Sequence, residues 1–505
     1  MKGKKGVTAM GKGIKSILPL LLAAWLMAAA IPAYAKVGYD TTYTYTYDYW
    51  GDLRESPDPY RVETVLNSSL LKLDIPMKSP QGLFVRGNMI YICDTGNNRI
   101  LEIERTEGSY CVKRIIDSFY GETSPLSFSA PYDIFVSETG DIFICDFNNK
   151  RVLKLDKDLN FLLAFTRPDD ATFDMSLSFL PIKVVADSTG RAFVLGRNVN
   201  KGMIKYENDG TFAGFIGASE VKFLWYDYIW RLLSTREQRA QQASFVPTEY
   251  DNLSIDREGF IYCVTGVFSE NELMNDQAKP IRRINGLGSD ILIKNGNYPP
   301  IGDLQWDTLT DYAGPSRFSD ITVLESDVYV VTDRVHGRLF GYDQQGRLLW
   351  VFGGVGNMEG YFQQPAAIEH MGDDLLVLDS MESSLTIFTP TPYGSTIYKA
   401  IKEYRQGSYD DSAKSWREVL NQNGNYDLAY IGIGRSLLRQ ERYEEAMAYF
   451  KLTRDGKNYS DAFKLYRKNW VEEHSIPIFI AIALLMAVPP IVARFKKIKR
   501  EVEEA

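Results

Sequence analysis

A chain of 505 residues with 45% apolar and 24% charged side chains is too long for one ordinary core and too apolar for disorder, so it holds two or more globular units. The formal charge of −8 hides an asymmetry: both ends are basic, which leaves about −15 on residues 36–493. A surface that acidic repels phosphate, and nucleic acid and anionic headgroups drop out as partners of this portion.

In chain order, residues 2–15 form a lysine-rich stretch, Ser16 to Ala30 an apolar one, and Ala33-Tyr34-Ala35 fits the small-x-small cleavage rule. Residues 1–35 therefore read as a signal peptide with Lys36 as the mature start, an uncleaved anchor being the other reading. The segment 36–58 is tyrosine-rich, and Tyr39 to Trp50 alternates Thr and Tyr with strand periodicity. It is expected to join a sheet edge or to cross a face.

From residue 59 to 389 a unit recurs. Leu83-Phe-Val followed by Asn88-Met-Ile-Tyr-Ile-Cys-Asp94 aligns with Ile134-Phe-Val followed by Gly140-Asp-Ile-Phe-Ile-Cys-Asp146. Four more segments, starting at Gly190, Gly259, Asp327 and Asp373, share the register. Turn residues separate short strands rich in Val, Ile, Phe and Tyr. Four strands per unit and six units predict a six-bladed β-propeller, which protects sheet edges by radial closure. The last unit lacks an outer strand, and residues 61–66 are expected to supply it.

Pro80-Gln-Gly82, Asp94-Thr-Gly-Asn-Asn-Arg99, Asp146-Phe-Asn-Asn-Lys-Arg151 and the joint from Phe352 to Pro365 resemble the NHL-repeat family. The resemblance implies the propeller fold; Gly196, Thr265 and Ser384 depart from its pattern. Asp94, Asp146, Asp333 and Asp379 read as structural turn caps, with Arg99, Arg151 and Arg338 as partners of the first three. In such a blade the loops joining strands one and two, or three and four, share one face. Here they are tight turns, and the long connections at 117–130, 166–180, 217–250, 266–279 and 295–318 are expected on the other. The largest carries Phe223, Trp225, Tyr226 and Trp230, either packed down on the propeller or presented to a partner.

After Pro390 the pattern turns helical. Tyr409 and Tyr443 lie 34 residues apart, and Tyr430, Ile433-Gly434, Leu437, Ala446 and Phe450 resemble the tetratricopeptide repeat over 395–474. This implies a peptide-binding module, or a stalk. Residues 475–493 carry no charge and are long enough to cross a bilayer, and the basic tail 494–505 belongs in the cytoplasm. Pro489-Pro490 should kink or fray its last turn. The propeller then lies outside, with the helices below its tight-turn face and the long loops pointing away from the membrane.

Motifs for nucleotide or hydrolytic chemistry are missing, and the predicted blade order scatters His336, His370 and His474. The four cysteines read as buried free thiols. One constellation remains: equivalent inner-strand positions hold Gly82, Asp133, Lys183, Asn252, Asp320 and Ala367. Asp133, Asn252 and Asp320 are candidate ligands for calcium, as the resemblance to six-bladed lactonases implies, though Lys183 in the same ring argues for a plain solvated lining. The sequence favours a binding protein without cofactor, its partner a protein or a surface glycan, in the setting of a membrane transporter or glycan-handling complex. Metal-dependent lactonase- or lyase-like activity is the alternative.

Overall fold

The computed structural model describes residues 44–503 apart from 122–123, 171–172, 174–177, 198, 200, 219–248, 267, 269–278, 296–298 and 304–314. The signal-peptide reading and the aromatic insertion with Trp225 and Trp230 lie outside the described residues.

Six antiparallel sheets make a six-bladed propeller. Blade one runs Gly82–Arg86, Met89–Asp94, Arg99–Thr106 and Ser109–Ile116 from the axis outwards. Blade two starts with Pro131–Val136, blade three with Pro181–Ala186, blade five with Phe318–Val323, and each has four strands of its own. Blade four, starting with Asn252–Ile255, has three among the described residues. Blade six uses Pro365–Met371, Asp374–Asp379 and Ser384–Pro390, and its outer strand is Tyr60–Leu66 from the other end of the repeat region. Thr386 faces Val65 and Ile387 faces Thr64, so the ring closes as the residue pattern predicts. The tyrosine-rich segment adds Tyr45–Tyr47 and Leu53–Glu55 to the outer edge of blade five. That covers an edge which would otherwise offer unpaired backbone.

The tight turns lie on one face as expected, but the long connections are less segregated. Tyr120 N donates to Leu159 O, and Asn295 N to Gln345 O. Both acceptors sit in tight turns, so the 117–130 and 295–318 connections each reach that side. Twisted blades splay at their outer edges, and these segments fill the wedges: Phe119 packs with Phe128 and Phe161 there.

Six helices follow: α1 (Pro392–Arg405), α2 (Tyr409–Gln422), α3 (Asp427–Arg439), α4 (Tyr443–Leu452), α5 (Gly456–Glu473) and α6 (Ser475–Glu503). Thr391 caps α1 by accepting from Gly394 N, and Pro392 stands where its missing N–H costs nothing. A Cβ at Gly432 would collide with the Trp416 ring, so α2 and α3 approach only because glycine is there. The stack is no separate stalk. Trp350, Phe352 and Tyr60 of the propeller share one buried cluster with Tyr398, Trp416, Ile433 and Phe450 of the helices. Lys402 Nζ lies 3.0 Å from Asp373, and Arg405 pairs with Asp327, both acids being in tight turns. The module therefore sits against the tight-turn side of blades five and six. α6 is apolar and long enough to cross a membrane, and it continues through Pro489 and Pro490 rather than breaking there.

Candidate functional site

The six inner strands surround an axial channel. Each starts at the long-loop face, and in blades two, three, five and six a register shift follows the first residues, between Pro131/Ile134, Pro181/Lys183, Phe318/Asp320 and Pro365/Ala367. Such irregularities free a backbone N–H from its own ladder. Asp133 and Asp320 each reach a backbone N–H just past such a shift on the next blade. Asp133 Oδ2 accepts from Val184 N at 3.0 Å, and Asp320 Oδ2 from Ile368 N at 2.8 Å. The two candidate ligands are thus staples between neighbouring blades.

Their remaining oxygens are engaged as well. Lys183 Nζ donates to Asp133 Oδ1 at 3.1 Å, and Ile321 N to Asp320 Oδ1 at 2.8 Å. Asn252 Oδ1 accepts from Leu253 N at 2.8 Å. A calcium site does not fit this set: an ammonium group occupies the ring, and the carboxylate oxygens already hold donors. Among the described residues no three His, Cys, Asp or Glu side chains are grouped to hold a metal ion. Gly82 fills its ring position because a Cβ there would lie 2.6 Å from Tyr132 O.

Lys183 is the waist of the channel and lines a cavity on either side. The cavity on the long-loop side measures about 570 Å³, with Tyr132, Arg197, Asn252, Tyr250, Gln81 and Gln364 in its wall. Arg197 lies over the rings of Tyr132 and Phe147, 5.7 and 5.1 Å from their centres. Arg334 pairs with Asp251 at 3.0 Å. The cavity on the tight-turn side, about 560 Å³, contains Glu369 and His370. Burial lifts Glu369 to about 8, against the pull of Lys183 and with the charge of Asp320 adding. Asp320 is lifted to about 6 for the same first reason, and His370 is pushed down to about 4.

The acidic turn caps hold their own blades together. Asp94 accepts from Lys78 N at 2.7 Å and Arg99 Nε at 2.7 Å; Asp146 accepts from Ser129 N at 2.8 Å and Arg151 Nε at 2.9 Å. Asp379 takes Gln363 N and Gln364 N without an arginine. Arg338 departs from the expectation. Its guanidinium pairs with Asp303 and donates to Tyr45 Oη at 2.9 Å, while Asp333 takes His336 Nδ1 at 2.6 Å instead. The incoming loop offers a carboxylate that blades one and two lack at that place. One of the four cysteines also corrects the reading: Cys93, Cys145 and Cys263 are buried, but Cys111 on an outer strand is exposed.

No family model matches this chain, and no curated protein matches its sequence. Solved structures share its fold. Virginiamycin B lyase from Staphylococcus aureus is 12% identical, covering 65% of this chain and 99% of its own at a TM-score of 0.40. A protein with a provisional gluconolactonase assignment is 10% identical over 69% of this chain and 98% of its own, TM-score 0.39. PorZ, a surface component of the type-IX secretion system of Porphyromonas gingivalis, is 8% identical over 63% of this chain and 38% of its own, TM-score 0.32. At such identities the likeness is one of fold alone.

Glu369 went unremarked in the sequence, and His370 was noted only as one of three scattered histidines, because both sit at the far end of their strand, away from the ring position that repeats. The available signal was a titratable pair, Glu369-His370, in an inner strand where the other blades carry mostly apolar residues.

Proposed function

We propose that this chain is a membrane-anchored extracytoplasmic binding protein whose ligand, a protein segment or a surface glycan, enters the long-loop mouth of the propeller. The carrying observation is the composition of that cavity: planar amides, tyrosine rings and an arginine stacked on aromatics, above a floor closed by the Lys183–Asp133 pair. Amides and aromatic faces recognise hydroxyl-rich or peptide surfaces without reacting with them. In this reading the repeats are of the NHL and tetratricopeptide kind, α6 is the anchor with its basic end in the cytoplasm, and the helices mount the propeller rigidly over it. A place beside a membrane transporter or glycan-handling complex suits that geometry.

The test is photo-crosslinking in native membranes from a probe at Tyr132, with Arg197→Ala as the control. Capture of one partner, lost in the variant, supports the reading. Calcium-dependent lactone hydrolysis by the purified chain, abolished in Asp133→Ala/Asp320→Ala, overturns it in favour of an enzyme.

A further inference from the structure

The tight-turn end of the channel lies across the waist from the proposed ligand mouth, and its charges do not balance. Around its rim most carboxylates have cations: Asp187 pairs with Arg191 at 2.6 Å, Asp141 with Lys154 at 3.2 Å, and Asp256 and Glu258 share Arg283 at 2.8 and 3.0 Å. Asp327 pairs with Arg405, and Glu325 with Arg257. The cations of the lining are equally committed. Lys183 is held by Asp133, and Arg86 donates to Val136 O while lying over the rings of Phe84 and Phe135.

Inside, Glu369 differs from both neighbouring acids. Asp133 has Lys183 and a backbone donor, and Asp320 has two backbone donors. Glu369 has no cation of its own: one backbone donor comes from His370, the Thr322 hydroxyl lies 3.3 Å from Oε2, and His370 Nδ1 stands 3.9 Å off. Thr322 Oγ1 also bonds His370 Nδ1 at 2.8 Å. The imidazole is neutral at pH 7, since burial pushes it down to about 4. One ammonium group thus faces three interior carboxyl groups. The same cavity has an apolar part to its wall, to which Phe84, Phe135, Phe143, Val184 and Leu253 contribute. Two of these rings already carry a guanidinium, and Phe143 has the Lys154 ammonium 5.5 Å from its centre.

We propose that this end of the channel is a binding site for a small organic cation, its ammonium group docking on the Glu369 carboxylate and its carbon body lying along the phenylalanine wall. A bare metal ion suits the place less well, because no three ligating side chains converge among the described residues and half the wall offers no oxygen. An anion would meet Glu369 and Asp320 with every nearby cation already engaged. The ligand supplies the positive charge that the fold leaves out, and the same contact ionises Glu369, which is protonated when the site is empty. Binding therefore releases a proton near neutrality and strengthens with pH. The groups that face Glu369 are Lys183, Asp133, Asp320 and His370. Of these, Lys183, raised against burial by its carboxylate neighbours, stays ionised and His370 stays neutral between pH 6.5 and 8.5, and Asp320, lifted to about 6, is mostly ionised there.

The experiment uses the full chain in detergent with butylammonium as probe, which stays cationic over that window. Calorimetric titration should give saturable binding whose Kd falls about twenty-fold from pH 6.5 to pH 8.5, in proportion to the ionised fraction of Glu369. Glu369→Gln should abolish both the binding and its pH dependence. Should that variant misfold, the wild-type chain still decides. Titrations at pH 7 in two buffers of different ionisation enthalpy should report release of close to one proton per butylammonium bound. No saturable binding, binding that survives Glu369→Gln, or binding with no proton released overturns the proposal. Each of those results leaves the long-loop reading untouched, since Tyr132 and Arg197 lie on the other side of Lys183.

Discussion

Tyr45 Oη donates to Asp303 Oδ2 across 2.6 Å and so ties the first described strand to a loop 258 residues further on. Tyr47 Oη bonds the other oxygen of the same carboxylate, and Arg338 completes the cluster. All but Tyr47 are below a tenth exposed, so the group is a polar lock inside the outer edge of blade five. Breaking it has unequal costs. Tyr45→Phe removes two hydrogen bonds, one donated to Asp303 and one accepted from Arg338, and should cost about 2 kcal/mol. Asp303→Ala removes the buried carboxylate that Tyr45, Tyr47 and Arg338 share and should cost about 3–5 kcal/mol. Urea unfolding of the two variants checks this; equal losses would mean that the lock is not organised around Asp303.

The sequence made the repeat legible because the repeat is local: strand alternation, turn residues and the acid six places on are read within one unit. Even the closing strand at 61–66 could be found, since blade six visibly lacked a partner for Ser384 to Thr389. What escaped was contact between units. Asp133 and Asp320 looked like channel-facing ligands, yet a backbone N–H of the next blade claims each, and nothing in a strand's own residues announces a bulge. Arg338 was assigned to Asp333 by spacing, whereas a connecting loop with no repeat pattern delivers Asp303. The helices were legible as a module, but not their fusion to the propeller through Trp350, Tyr60 and Tyr398, because each residue is simply apolar in its own element.

The pair Asp333–His336 gives a stability signature in mild acid. Burial opposes charge on both, but their mutual contact wins, lowering Asp333 and raising His336 relative to the ordinary values. The aspartate contribution is present above its unfolded value of 3.8 and lost as pH falls through the lower folded value. The histidine contribution is present below its unfolded value of 6.5 and lost as pH rises through the higher folded value. The pair is therefore worth most between about pH 4 and 6.5. His336→Gln should be less stable than the native chain at pH 5.5, by about 1–2 kcal/mol, with the difference narrowing above neutrality. Thermal melts at the two pH values measure it, and a gap that widens towards pH 9 would contradict the assignment.

Thiol chemistry should divide the cysteines one against three. Cys111 is exposed on an outer strand, and burial pushes the thiols of Cys93, Cys145 and Cys263 up, away from the reactive thiolate. Maleimide added to the native chain should modify Cys111 alone, and in denaturant all four. Peptide mass mapping reads the outcome. Because Cys111 is the one native target, Cys111→Ser gives a silent background for probes placed elsewhere; rapid native labelling of Cys93 would show instead that blade one opens.

The last prediction concerns what an unbalanced carboxyl group costs the empty protein. Glu369 has its pKa raised from 4.5 to about 8, chiefly by burial. Below pH 4.5 the group is protonated in both folded and unfolded chains and has no effect. Between 4.5 and 8 the unfolded chain is ionised while the folded chain holds the proton, so stability falls as pH rises, and above 8 the loss is complete. Glu369→Gln keeps the shape and can keep a hydrogen bond to Thr322, yet it carries no charge to bury. It should match the native chain at pH 4.5 and exceed it by about 5 kcal/mol at pH 8.5, an order-of-magnitude figure for a shift of this size. Native residues that destabilise their own fold with rising pH are commonly kept for what they bind. Urea unfolding at the two pH values is decisive: if Glu369→Gln is no more stable at pH 8.5, the carboxylate already has a counter-charge in the folded chain, and the channel interior is balanced after all.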